Sequence, residues 1–142
     1  MNSSPSILMK CAGAALLAWA GSCHASCPAQ ISQPSVAITD VADGWRPYIA
    51  APLYLHSVAI SDGPPERLGQ LKGRQVRSDS NAWTDTYDLH GPYPEGKWLQ
   101  CSYGMLNEIV LSRRLDDSIT ACTIEGKKGG KAGQNVFSVA CR

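Results

Sequence analysis

Four cysteines that follow an apolar leader constrain this chain more than any other feature. Residues 11–25, CAGAALLAWAGSCHA, are almost wholly apolar or small, and Lys10 sits just before them. A positive start, an apolar stretch and a small-residue exit describe a secretory signal peptide. The stretch is too short to cross a bilayer as a helix, which takes about 20 apolar residues. Cys23 and Ala25 fit a small-x-small cleavage site, so residues 1–25 read as leader and 26–142 as a single exported domain. Cys27, Cys101, Cys122 and Cys141 remain. An even number of cysteines in a small exported domain reads as a disulfide framework. Zinc does not fit, because residues 26–142 contain neither a Cys pair nor a His pair at ligand spacing. Three pairings are open. Our preferred one closes Cys122–Cys141 within the C-terminal segment and ties the N-terminus down through Cys27–Cys101.

A second processing route competes at the same place. Ala20-Gly21-Ser22-Cys23 resembles a lipoprotein box in which Cys23 would carry a lipid anchor, but Ala stands where Leu is usual. Cleavage after Ala25 is the better match, and the even cysteine count survives either route. The expected location is the periplasm or another exported compartment, without a stable membrane span. The whole chain has 13 basic and 12 acidic residues, and Lys10 leaves with the leader, so the exported domain is balanced. Long-range attraction to nucleic acid is therefore not expected.

Short alternating segments separated by turn residues fill the domain. Leu53–Ser61, Ala82–Leu89, Lys97–Tyr103, Leu106–Ser112, Ile119–Glu125 and Gln134–Cys141 all read as strands. Ser35–Thr39 is a further, shorter candidate. Trp83, Asp85 and Tyr87 share one face of their strand, as do Leu99, Cys101 and Tyr103. Asp62-Gly63-Pro64-Pro65 stops a strand, and a proline there suits the first turn of a short helix through Gln70. Residues 72–81 are polar and read as loop. Gly126 to Gly133 holds three lysines among glycines and reads as a flexible, solvated hairpin loop. The expected fold is mainly β: a small antiparallel sandwich or barrel-like sheet with one short helix, stapled by disulfides.

Catalytic chemistry is not visible. Within 26–142 the only histidines are His56, in mid-strand, and His90, at a Gly-Pro turn. No G-x-S-x-G, H-E-x-x-H or P-loop occurs, and Asp116-Asp117 reads as a solvated turn. A cysteine nucleophile would break the even disulfide set. We expect no catalytic residue, metal or cofactor, which leaves a binding role. Trp45, beside Arg46 and Pro47 in a loop context, suits either a cap on the core or a contact with a partner.

The order and spacing of several pieces carry a resemblance. These are Cys27-Pro28, Gly44-Trp45, Leu55-x-x-Val58 running into Asp62-Gly63-Pro64-Pro65-Glu66, Trp83, Trp98-Leu99-x-Cys101-x-Tyr103, and Leu111, Leu115 and Cys122. Together they resemble a family of small exported proteobacterial proteins similar to periplasmic immunity proteins of type VI secretion. The effectors concerned attack peptidoglycan and look like L,D-transpeptidases. One departure is Gly104-Met105-Leu106-Asn107, where members often carry a small polar residue in a tight turn. The resemblance implies an inhibitor that binds and blocks a cell-wall-targeting toxin, and supplies no catalytic residues. A periplasmic accessory or ligand-binding module is the alternative, and a hydrolase of unknown type the second. An inhibitor needs a rigid protrusion. Two segments qualify: Trp45, Arg46 and Tyr48 in one loop, and Asp62, Pro64, Pro65, Glu66 and Arg67 in a proline-stiffened turn.

Overall fold

The computed structural model describes the backbone of residues 23–24 and the whole of residues 26–142. The leader, the cleavage site at Ala25 and the lipid-anchor reading of Cys23 otherwise lie outside the described residues. Nine strands occur among the described residues: β1 (Cys23–His24), β2 (Gln30–Ile31), β3 (Leu53–Asp62), β4 (Arg74–Ser78), β5 (Ala82–Asp88), β6 (Lys97–Tyr103), β7 (Ile109–Arg114), β8 (Ala121–Lys128) and β9 (Asn135–Cys141). All strand pairs are antiparallel. One sheet runs β1-β9-β8-β5-β4 and the other β2-β3-β6-β7. The mainly β, disulfide-stapled reading is correct.

Alternation decides which side chains meet between the sheets. Leu55, Val58 and Ile60 of β3 and Leu99, Cys101 and Tyr103 of β6 supply one half of the core. Tyr87, Cys122, Ile124, Val139 and Cys141 supply the other, and Leu89, Leu115 and Ile119 close it from the connections. The second face of β3 and β6 is also buried but carries small or polar groups. Gln100 Nε2 donates to Ser61 Oγ at 2.9 Å, and Ser61 Oγ donates onward to the Gly63 carbonyl at 2.8 Å. That relay satisfies groups that would otherwise be costly to bury.

The sheets are joined at a corner. A bulge interrupts the β3–β6 register between Leu55 and Ser57, so His56 leaves the ladder. Its Nδ1 lies 3.0 Å from the Gly133 carbonyl, and its own carbonyl accepts a bond from Asn135 Nδ2. Bulges re-aim a side chain in this way. Inside the other sheet, β8 passes directly beneath the Trp83 indole at Gly126, where a Cβ would collide with the ring. Phe137 meets the same indole edge-on, with ring centroids 5.7 Å apart.

Both bridges follow the preferred pairing. Cys122–Cys141 staples β8 to β9, and Cys27–Cys101 fastens the N-terminal arm to the centre of β6. Tyr103 Oη supports the same anchor by donating to the Pro28 carbonyl at 2.9 Å.

Four local expectations were wrong. The expected loop from Gly126 to Gly133 begins later, because Gly126 to Lys128 end β8 and pair with β9. Ser35–Thr39 is not a strand: Gln33–Ser35 forms a single 3-10 turn around Pro34, and the chain then stays irregular through Pro52. The expected helix through Gln70 is only the 3-10 turn Pro65–Arg67. Leu68 turns left-handed at φ 55° and ends it, and Gln70 then bridges Ser61. The polar stretch 72–81 contains β4, which forms through its ladder with β5 despite lacking an apolar face.

Candidate partner-binding surface

The two histidines have different surroundings. His56 is the corner strut just described. His90 is exposed and lies 2.6 Å from Asp88 Oδ1, and the Asp88 carboxyl is held below the usual range by the backbone N–H of His90 and then by its ring. This pair lies on an open groove of about 630 Å3 on the outer face of the β9-β8-β5-β4 sheet, with Lys72, Arg74, Thr86 and Arg142. Lys97 is the buried cation among the described residues. It donates to the carbonyls of Asp117 and Ile119 and lies over the Tyr93 ring, so it fixes the β7–β8 connection. Burial, followed by the charges of Asp62 and Asp88, raises the Tyr93 pKa. No group of three or more His, Cys, Asp or Glu suited to a metal occurs among the described residues.

The exposed side chains are more informative. Trp45 is 77% and Tyr48 80% exposed, so Trp45 is displayed rather than used as a core cap. Gln33 Nε2 donates to the Ile49 carbonyl and pins the base of their loop. Three adjoining hollows then run along the arm. The first lies between Ile31, Val36 and Ala37 of the arm and Ile109 and Leu111 of β7. Val36 and Ala37 continue into the second with Pro47 and Tyr48. Ile38 and Pro47 continue into the third with Trp45 and Arg46. An apolar track therefore joins β7 to Trp45.

The other predicted protrusion lies elsewhere. Asp62 ends β3, about 30 Å along the strand from Leu53, with which Ile31 of the arm pairs. Pro64 and Pro65 are half-buried, Glu66 and Arg67 are exposed, and Arg67 Nε pairs with Glu95 Oε2 at 3.0 Å. Thus Trp45, Arg46 and Tyr48 form one cluster and Asp62 to Arg67 a second, at opposite ends of β3. Sequence reasoning did not single out Val110 and Leu111 as exposed, because the alternation of their strand resembles that of an interior one. The basic side chains Lys72 and Arg74 were missed because their segment read as loop.

A comparison with protein-family models matches residues 50–142 to the type VI secretion system Tli immunity protein family. The chain belongs to that family. Neither a curated protein nor a solved structure gave a match. The matched segment starts three residues before β3 and includes both sheets apart from β1 and β2. The Asp62–Arg67 turn, β7 and the Cys122–Cys141 bridge lie within the matched residues. The arm carrying Cys27, Trp45, Arg46 and Tyr48 precedes the matched residues.

Proposed function

We propose that this chain is exported to the periplasm, loses residues 1–25, and protects its cell by binding a cognate type VI effector and occluding that effector's active site without catalysis of its own. The family match carries this reading, because immunity implies an effector as partner. The two disulfides support an oxidising compartment. Occlusion is supported by the exposed Trp45 and Tyr48 on a loop pinned by Gln33 and by the proline-stiffened turn at Pro64 and Pro65, since stiff elements lose little conformational entropy on docking. Trp45, Arg46 and Tyr48 are the proposed anchors of one contact, and Asp62, Pro64, Pro65, Glu66 and Arg67 those of a second.

The resemblance of the sequence to inhibitors of wall-directed effectors makes peptidoglycan the proposed target of the toxin. Periplasmic co-expression with the effector encoded beside this chain's gene tests both levels. Survival with the immunity chain and lysis without it support the reading. Death in both cultures overturns it. Intact muropeptides in poisoned cells, with damage to another envelope component, would keep immunity but overturn the peptidoglycan assignment.

A further inference from the structure

Each sheet ends at one side in a two-residue strand, β1 or β2, and at the other in a longer one, β4 or β7, and the two longer edges are built differently. β4, the edge of one sheet, is fully exposed, carries Arg74 and Arg77, and has its register broken between Gln75 and Arg77. Charges and bulges of this kind keep an edge from pairing with another chain. β7, the edge of the other sheet, pairs with β6 through six consecutive residues without a break. Its sequence begins Ile109-Val110-Leu111, and Leu111 is 42% exposed. Its register is unbroken and its first half is apolar; its two arginines, Arg113 and Arg114, are confined to the far end.

Its free hydrogen-bonding groups follow from the register. The Leu115 N–H donates to the Lys97 carbonyl at 2.8 Å, so residue 115 faces β6. Alternation then turns Ile109, Leu111 and Arg113 toward β6 and leaves the N–H and C=O of Val110, Ser112 and Arg114 pointing outward. No backbone partner for those outward groups occurs among the described residues. The side chains of Ile109 and Leu111 line an open hollow of about 610 Å3 with Ile31, Val36 and Ala37. Arg113, on the same face, forms no ion pair among the described residues, whereas Arg114 is engaged by Asp117.

We propose that β7 is a docking edge on which an extended segment of the cognate effector adds as a further strand, a refinement that rests on the immunity reading above. Main-chain bonds to residues 110, 112 and 114 supply register, and the hollow takes apolar side chains from alternate positions of the incoming strand. Arg113 selects an acidic side chain at one end of that segment. The apolar track continues from this edge along the arm to Trp45, so strand addition and aromatic contact belong to one continuous surface.

The test measures affinity for the effector encoded beside this gene, used in catalytically inactive form. Ser112→Pro removes an outward N–H without touching the β6 ladder, and edge positions tolerate proline. Val110→Lys blunts the same edge with a charge and serves as the second variant should the proline disturb folding; Val76→Lys on β4 is the control. The expected result is a loss of about tenfold or more for both β7 variants, and none for Val76→Lys, with melting temperatures unchanged. Arg113→Glu should weaken binding in the same direction. If the parent binds and both folded β7 variants bind equally well, strand addition is wrong while immunity stands. If the parent binds no such effector, both readings fail. Concentration-dependent dimers of the parent that Val110→Lys abolishes, with effector affinity unchanged, would assign the edge to a second copy of the chain and overturn the proposal.

Discussion

The β4 and β7 edges solve the same problem in opposite ways, and the difference shows where selection for solubility gave way. Both leave a row of backbone groups without a neighbouring strand. β4 hides that row behind arginines and a register break, at the polar side of the molecule that also holds Lys72, His90 and Arg142. β7 keeps a regular ladder, with apolar residues in its first half, and its Ile109 and Leu111 share a hollow with the arm. A free edge with an unbroken register is an aggregation risk, so its retention next to an apolar track argues for use. The arm is appended before the family-matched segment yet is bolted by Cys27–Cys101 to β6, the strand on which β7 rests. The scaffold thus presents the edge, and the arm builds the hollow beside it.

Releasing the arm should give the largest effect. Cys27–Cys101 spans 74 residues of sequence and Cys122–Cys141 spans 19. Loop entropy alone then assigns about 4 kcal/mol to the first bridge and about 3 kcal/mol to the second. Denaturant melts of the Cys27→Ser/Cys101→Ser and Cys122→Ser/Cys141→Ser pairs should rank that way. Only the arm pair should also lose effector affinity out of proportion to its population of folded protein. Equal affinity losses in the two folded variants would erase the distinction between the two sides.

A strain on the opposite sheet should lower stability and leave binding alone. Gly126→Ala pushes a methyl group into the Trp83 indole, against which Phe137 also rests, and should cost about 1–3 kcal/mol by overpacking. Unchanged affinity in the folded fraction is expected; a parallel fall in affinity would mean that the sheets communicate. Trp45→Ala divides the surface further. It should weaken binding by about 2 kcal/mol with a stability change near zero, as expected of an exposed aromatic anchor. Arg67→Ala, at the far end of β3, tests the second proposed contact, and protection equal to the parent in both variants would remove both loops from the interface.

Most of the strands were legible because alternation matches burial in β8 and β9, while β3 and β6 show as runs bounded by turn residues and are buried on both faces. β4 was not, since Arg74-Gln75-Val76-Arg77-Ser78 has no apolar face and owes its conformation to hydrogen bonding with β5. The arm misled in the other direction: Val36 and Ile38 alternate like a strand, but Pro34 sits in a 3-10 turn and no strand pairs with them. Exposure at Trp45 was readable only as one of two outcomes, because a tryptophan beside a turn suits a core cap equally well. The free edge at β7 was invisible for a deeper reason. Which strand ends a sheet is fixed by topology, and Ile109 to Leu111 would read the same in the centre of one.

Acid should have the smallest effect. Asp79, Asp88 and Asp116 are held below the usual carboxylate range: Asp79 by the backbone N–H groups of Asn81 and Ala82, Asp88 by His90, and Asp116 by the hydroxyl and N–H of Ser118. Depressed folded values mean that their stabilisation is complete above an ordinary pKa of about 4 and is lost as pH falls through the lower folded values. Thermal melts should therefore weaken on acidification below about pH 4. Asp116→Asn should flatten that slope slightly, and an unaltered slope would show that the Ser118 turn does not contribute.

Amide hydrogen exchange on free protein and on its complex with the inactive effector compares the two edges in one experiment. Binding should slow exchange at Val110, Ser112 and Arg114 by about tenfold or more and leave the β4 amides at Arg74 to Ser78 unchanged. Unchanged rates at the three β7 positions in a saturated complex, or new protection along β4 instead, would contradict the account.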